Sequence, residues 1–154
     1  MRDDRFYIPF AQDPWNEIQP HFWQGGMYFG SAMTECPKIT DQFDAVVSMA
    51  GKGGLDLRPT CEHHAFYIDD GKLGRPEALL VGGAVGITHR LLDEGKKVLV
   101  RCQAGYNRSG LVVALTLRMA YGMSADEAID LIRTKRSPHA LCNLDFVEYI
   151  NEWV

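Results

Sequence analysis

Cysteine pairs of the CxxC type are missing from this chain, whose four cysteines (Cys36, Cys61, Cys102 and Cys142) lie far apart. The start, Met1-Arg2-Asp3-Asp4-Arg5, carries acids and leads into no apolar run, so it does not read as a signal peptide. Reduced thiols in a cytoplasmic protein are therefore expected, rather than a Cys36–Cys61 disulfide. A basic excess is missing too: 16 Lys and Arg against 20 Asp and Glu give a net charge of −4. This weighs against broad nucleic-acid or membrane-surface binding but leaves room for a local basic pocket. No stretch approaches the ~18 apolar residues of a membrane span. Repeats, low-complexity tracts and linkers are also absent, so residues 1–154 read as one domain. Cys61, His63 and His64 come nearest to a metal cluster, yet neighbouring strand residues face opposite ways and no second cluster has matching spacing. Neither metal nor cofactor is expected.

The chain does carry enough apolar residues, 46%, to bury a core. Residues 1–20, with Phe6, Tyr7, Phe10 and Trp15, suggest an irregular arm packed on the body. A short strand or hairpin is expected within 21–31, with Gly25-Gly26 at a tight turn. Residues 43–48, 64–68 and 97–101 read as strands, the last as a central strand without polar alternation. A helix is predicted over 76–92, with Pro76 in its first turn and Gly95 past its end. Its Gly82, Gly83 and Gly86 would permit close packing on a sheet. Residues 109–121 are apolar on most faces, as in a buried helix. Ser124 followed by Glu127 forms a capping box for a helix through about Arg133. Asn143 would cap a last one. Strands alternating with helices imply an α/β three-layer sandwich: a central, mostly parallel sheet with helices on both faces.

The informative segment is Cys102-Gln103-Ala104-Gly105-Tyr106-Asn107-Arg108-Ser109-Gly110. A cysteine ends a buried strand, five residues form a loop, and an arginine opens a buried helix. Loop amides and the free amides of the helix start would converge on one point, with the helix dipole adding positive potential. Gly105 lets the backbone turn. Arg108 can grip two phosphate oxygens bidentately, as a lysine cannot. A cysteine in that field is favoured as the thiolate, the nucleophilic form.

These residues resemble the Cys-x5-Arg-Ser/Thr signature of the cysteine-dependent protein tyrosine phosphatase superfamily, most of all its small dual-specificity branch. Residues 18–150 can be threaded onto that fold, although only the loop is a specific motif. The resemblance implies a single phosphatase domain hydrolysing phosphotyrosine, and in some members phosphoserine and phosphothreonine, in phosphorylated protein substrates. Cys102 would attack phosphorus, and Arg108 would bind substrate and stabilise the transition state. Residues 103–107 (Gln103, Ala104, Gly105, Tyr106 and Asn107) would bind phosphate, and Ser109 would hydrogen-bond the departing sulfur. Asp70, 32 residues before Cys102, resembles the general acid, with the adjacent Asp69 as the alternative. Asn143 could also stand near the attacking water. Arg101 departs from the family pattern, which has His before the nucleophile.

Two other substrates stay open, since Gly105–Gly110 also resembles the loop of cysteine-based RNA 5′-triphosphatases and a phosphoinositide would fit the chemistry. The acidic balance weighs against RNA, and 103–107 lack the extra basic residues that inositol headgroups call for. A phosphate-binding module without turnover is the non-enzymatic alternative. Lys135 and Arg136 read as a solvated basic turn, and His139 and Cys142 as packing or surface residues.

Overall fold

The computed structural model describes residues 8–51 and 61–153. Elements follow in the order β1 (Trp15–Gln19), β2 (Phe22–Gly25), β3 (Tyr28–Phe29), β4 (Thr34–Glu35), β5 (Ala45–Ser48), β6 (Glu62–Ala65), α1 (Arg75–Asp93), β7 (Val98–Arg101), α2 (Arg108–Tyr121), α3 (Ala125–Lys135) and α4 (Leu144–Glu152). Five strands form one sheet in the order β1-β2-β7-β5-β6, and β3 with β4 makes a small separate ribbon. All pairings in the large sheet are parallel except β1 with β2.

The central strand β7 is buried at every position, because both its faces are covered. Val98 and Val100 point to the same side as Ala45 and Val47 and join a core with residues of all four helices, among them Val81, Leu111, Ile129 and Phe146. Leu99 and Val46 point the other way, onto Ile39 and Phe43, with Trp15 and Trp23 packed alongside. The α/β class and mostly parallel sheet agree with the sequence. The described helices, however, all pack on one face; aromatic rings and loop residues form the third layer. Trp15 and Trp23 meet Phe43 edge-on, with ring centroids 5.3 and 5.9 Å away.

Helix α2 is buried from Ser109 to Leu117, since the sheet and the other helices surround it. Burying each such leucine contributes roughly 1.5–3 kcal/mol. The helix ends at Gly122, whose φ of +66° is strained for other residues. Ser124 and Glu127 form the expected capping box, and Asn143 Oδ1 caps α4 by accepting from Phe146 N–H.

Some local expectations need correction. Residues 15–19 are not irregular but form the edge strand β1, carrying a bulge between Glu17 and Gln19. The β1–β2 turn lies at Pro20-His21, where His21 has φ +68°. Gly25-Gly26 is instead a point of close approach: a Cβ at Gly26 would fall 2.7 Å from the Gln103 oxygen. β6 runs earlier and shorter than the expected 64–68. Phe66 and Ile68 still donate to Ser48 O and Met49 O, which carries the chain from the sheet edge toward the loop after β7. Gly82, Gly83 and Gly86 are exposed rather than packed on the sheet. Gly83 alone of the three has a near neighbour, the Phe66 ring. Residues 1–7 of the proposed arm, with Phe6 and Tyr7, lie outside the described residues.

Candidate active site

β7 ends at Arg101 and α2 begins at Arg108, so residues 102–107 bridge a strand end and a helix start. Every carbonyl of residues 103–107 is held by a donor from the surrounding fold. Gln103 O accepts from Met27 N at 2.7 Å, Tyr106 O from Leu141 N at 3.1 Å, and Asn107 O from Leu111 N at 2.8 Å. Gly105 O accepts from Gln24 Nε2 at 3.0 Å and from Arg136 Nε at 3.3 Å. Arg136 Nη2 donates to Ala104 O at 3.1 Å. In a trans peptide the N–H points opposite to the C=O. Turning these carbonyls into the scaffold therefore turns the amides of residues 104–108 the other way, toward the cavity that the loop surrounds. Among the described residues no backbone or side-chain acceptor outside regular structure is seen for the amides of residues 104–108. Gly105 makes the turn at φ +73°, and a Cβ there would meet Arg136 Nη2 and Gly25 at 2.6 Å.

That cavity, ≈ 370 Å³, is lined by the loop together with Ile8, Phe10, Asp70 and Cys142. Cys102 is 2% exposed, and its Sγ lies 3.3 Å from Ser109 Oγ. Arg108 reaches across to Ile68, donating Nη1–H to its carbonyl at 3.2 Å. Its Nε is buried with no hydrogen-bond partner among the described residues. A donor held this way suits an incoming anion.

Asp70 and Asp69 separate as neighbours on an extended segment should. Asp70 lines the cavity, whereas Asp69 lines a shallow hollow with Tyr67, Pro76 and Leu80. Asp70 Oδ2 accepts from Asn107 Nδ2 at 2.9 Å, and Oδ1 accepts from Asn143 Nδ2 at 2.8 Å. Asn143 N–H in turn donates to Asn107 Oδ1 at 3.0 Å. Asn143 thus caps α4 with its oxygen and holds the Asp70 carboxylate with its nitrogen.

Arg136 stands elsewhere than the sequence suggested, and Cys142 and Arg101 take places that the sequence left open. Arg136 is not part of a solvated turn: it is 5% exposed, beneath the loop. Burial works against its charge, while Cys102 and Tyr106 favour it. Cys142, read as a packing or surface residue, borders the cavity, 3.3 Å from Asn107 Nδ2. Arg101 points away from the cavity. Its Nε donates to Ser48 Oγ at 3.2 Å, and it lines a second hollow with Met27, Cys36 and Ile39. Burial lowers its pKa, whereas the negative charge of Tyr67, Cys36 and Cys102 would raise it. His63 shares Ser48 with it, 2.9 Å from Oγ. All four cysteines are free thiols. Among the described residues no group of three His, Cys, Asp or Glu side chains could hold a metal, and no helix is long and apolar enough to cross a membrane.

Comparison with known proteins finds relatives both by sequence and by fold. The sequence model of the family "Dual specificity phosphatase, catalytic domain" matches residues 80–154. Tyrosine-protein phosphatase CDC14 of Saccharomyces cerevisiae is 31% identical over 72 residues, 47% of this chain. The match spans only 13% of CDC14's own length. The crystal structure of human DUSP28 superposes with a TM-score of 0.74 at 18% identity, covering 94% of this chain and 97% of that one. Tk-PTP in its active form gives 0.69 at 23% identity, covering 96% and 100%. By sequence over residues 80–154 and by fold along nearly its whole length, this chain is similar to the dual-specificity phosphatases of the cysteine-dependent protein tyrosine phosphatase superfamily.

Proposed function

We propose that this protein hydrolyses phosphotyrosine, and more slowly phosphoserine and phosphothreonine, in phosphorylated proteins through a cysteinyl-phosphate. The observation that carries the reading is the run of outward-held carbonyls from Gln103 to Asn107, which leaves the opposing amides for a phosphate above Cys102. In the first step Cys102 Sγ attacks phosphorus, the S–P bond forms and the P–O bond to the leaving group breaks. Asp70 protonates the leaving oxygen, and Arg108 with the loop amides stabilises the equatorial oxygens. In the second step water attacks phosphorus, Asp70 takes its proton and the S–P bond breaks. Ser109, 3.3 Å from the sulfur, donates to it as negative charge returns. Asn107 and Asn143 keep Asp70 at the cavity edge.

The lining disfavours the other substrates. Arg108 is the one cationic side chain among the cavity's described lining residues. A 5′-triphosphate or a multiply phosphorylated inositol needs several. Release of inorganic phosphate from a panel of phosphopeptides, 5′-triphosphate RNA and phosphoinositides tests the proposal. Turnover confined to the phosphopeptides is expected. Faster release from RNA or inositol lipid would overturn the substrate assignment, and binding without release from any would make the protein a phosphate-binding module.

A further inference from the structure

The phosphate end of the cavity is built by the loop, but part of its mouth is built by another segment of the chain. Ile8 and Phe10, before β1, line the same cavity as Cys102 and Arg108. Ile8 is 44% exposed, which leaves part of its side chain open to a group bound in the cavity. The segment is fastened to the loop itself. Tyr106 is 4% exposed and donates its hydroxyl proton to the Pro9 carbonyl at 2.5 Å. Ser137 Oγ donates to the Tyr106 hydroxyl from the other side at 3.3 Å. Farther along, Ala11 O accepts from Gly30 N at 2.7 Å, and the Phe10 ring lies 6.3 Å from that of Tyr28. A phosphate-loop side chain therefore fixes the position of two apolar residues at the cavity mouth.

We propose that residues 8–10 form a specificity wall for the aryl group of phosphotyrosine, and that Tyr106 is the positioning residue that holds it. The inference rests on the phosphatase reading above and adds to it the element that sorts substrates. With the phosphoryl group held over Cys102, the group esterified to it shares the cavity with Ile8 and Phe10. A phenol ring offers these side chains a flat apolar surface, and an aromatic contact with Phe10 adds to its burial. The seryl methylene is too small to cover them. The single hydrogen bond from Tyr106 to Pro9 ties the wall to the loop, so loss of the hydroxyl should loosen the wall while the aromatic ring still fills its site.

The test compares kcat/KM for a phosphotyrosine peptide and for the same peptide with phosphoserine, using the full chain, Phe10→Ala and Tyr106→Phe. Inhibition by inorganic phosphate, read in parallel, reports on the loop. The full chain should prefer the tyrosine peptide. In Phe10→Ala the tyrosine-to-serine ratio should fall about three- to tenfold, mostly through KM. In Tyr106→Phe it should fall in the same direction. Ratios unchanged in both variants, or equal losses on both peptides, would overturn the wall. A full chain that turns over both peptides without preferring tyrosine would overturn the wall alone. Release from neither peptide would defeat the phosphatase reading and the wall with it.

Discussion

Arg136 lies directly beneath Gly105: its guanidinium donates to the Gly105 carbonyl at 3.3 Å and to that of Ala104 at 3.1 Å. The same group reaches Asp13 O at 2.7 Å and Asn16 Oδ1 at 2.8 Å. One buried cation thus joins the loop of residues 102–107, Asp13 before β1, Asn16 within β1 and the end of α3, and it holds two loop carbonyls away from the cavity.

Replacing it by methionine would leave those carbonyls without their donor. Hydrogen bonds to charged groups contribute about 1.5–3 kcal/mol each, and unpaired buried carbonyls add their own cost. Arg136→Met should lower the melting temperature by several degrees and weaken inorganic-phosphate binding at least about tenfold. Arg136→Lys should recover only part of either, because an ammonium cannot serve acceptors spread around a planar fork. Calorimetry with phosphate titration checks both, and wild-type values in Arg136→Met would refute the role.

The acid assignment is tested through the leaving group. A general acid matters most when the departing oxygen is a poor leaving group, and such help is worth ~10²–10⁴-fold. Asp70→Asn should lose about that much on tyrosine phosphate and far less on an aryl phosphate with an acidic phenol. Asp69→Asn should show no such dependence, since Asp69 lies in a separate hollow. Turnover across aryl phosphates of graded phenol acidity decides. The reverse pattern would move the role to Asp69.

At the far edge of the sheet, Glu62 accepts a hydrogen bond from Lys96 at 2.5 Å and lies 3.0 Å from His64 Nε2. Lys96, and secondarily His64, pull its pKa down to about 2 from an ordinary value of 4.5. A carboxylate depressed on folding contributes stability that is present above its unfolded pKa and lost as pH falls through the folded one. The window is therefore about pH 4.5 down to about 2. The pair is about a third exposed, so solvent screens it, and the effect should be about 1–3 °C. Glu62→Gln should melt below wild type at pH 6 and converge with it near pH 2. A constant gap across that range would contradict the linkage.

Burial pushes the Cys36 thiol up to about 11, so it holds little thiolate at neutral pH. Cys142 is exposed. Brief alkylation at pH 7, read by peptide mass spectrometry, should label Cys142 well ahead of Cys36. Faster labelling of Cys36 would contradict its burial.

The candidate loop is legible in the sequence because it is continuous: strand, cysteine, five residues, arginine and helix lie in one stretch. Asp70 is legible from its spacing, and the separation of Asp69 from Asp70 follows from the two-residue period of extended chain. Arg136 is not, because a basic residue at a helix end most often lies in water; here the acceptors that bury it come from distant segments, Asp13, Asn16 and the loop. Cys142 is hidden for the same reason, since its neighbour Asn107 is 35 positions away. β1 lacks clean alternation and sits between Pro14 and Pro20, so only its pairing with β2 makes it a strand. The glycines of α1 suggest a close contact because sequence does not reveal which helical face they occupy.

The central claim is that Cys102 carries the phosphoryl group during turnover. Acid quench of the protein while it turns over phosphotyrosine peptide, followed by mass spectrometry of its digest, tests this directly. A phosphoryl group on the Cys102 peptide, absent from Cys102→Ser, is the predicted result. Steady phosphate release with no adduct on Cys102, or release that continues undiminished in Cys102→Ser, would contradict the account.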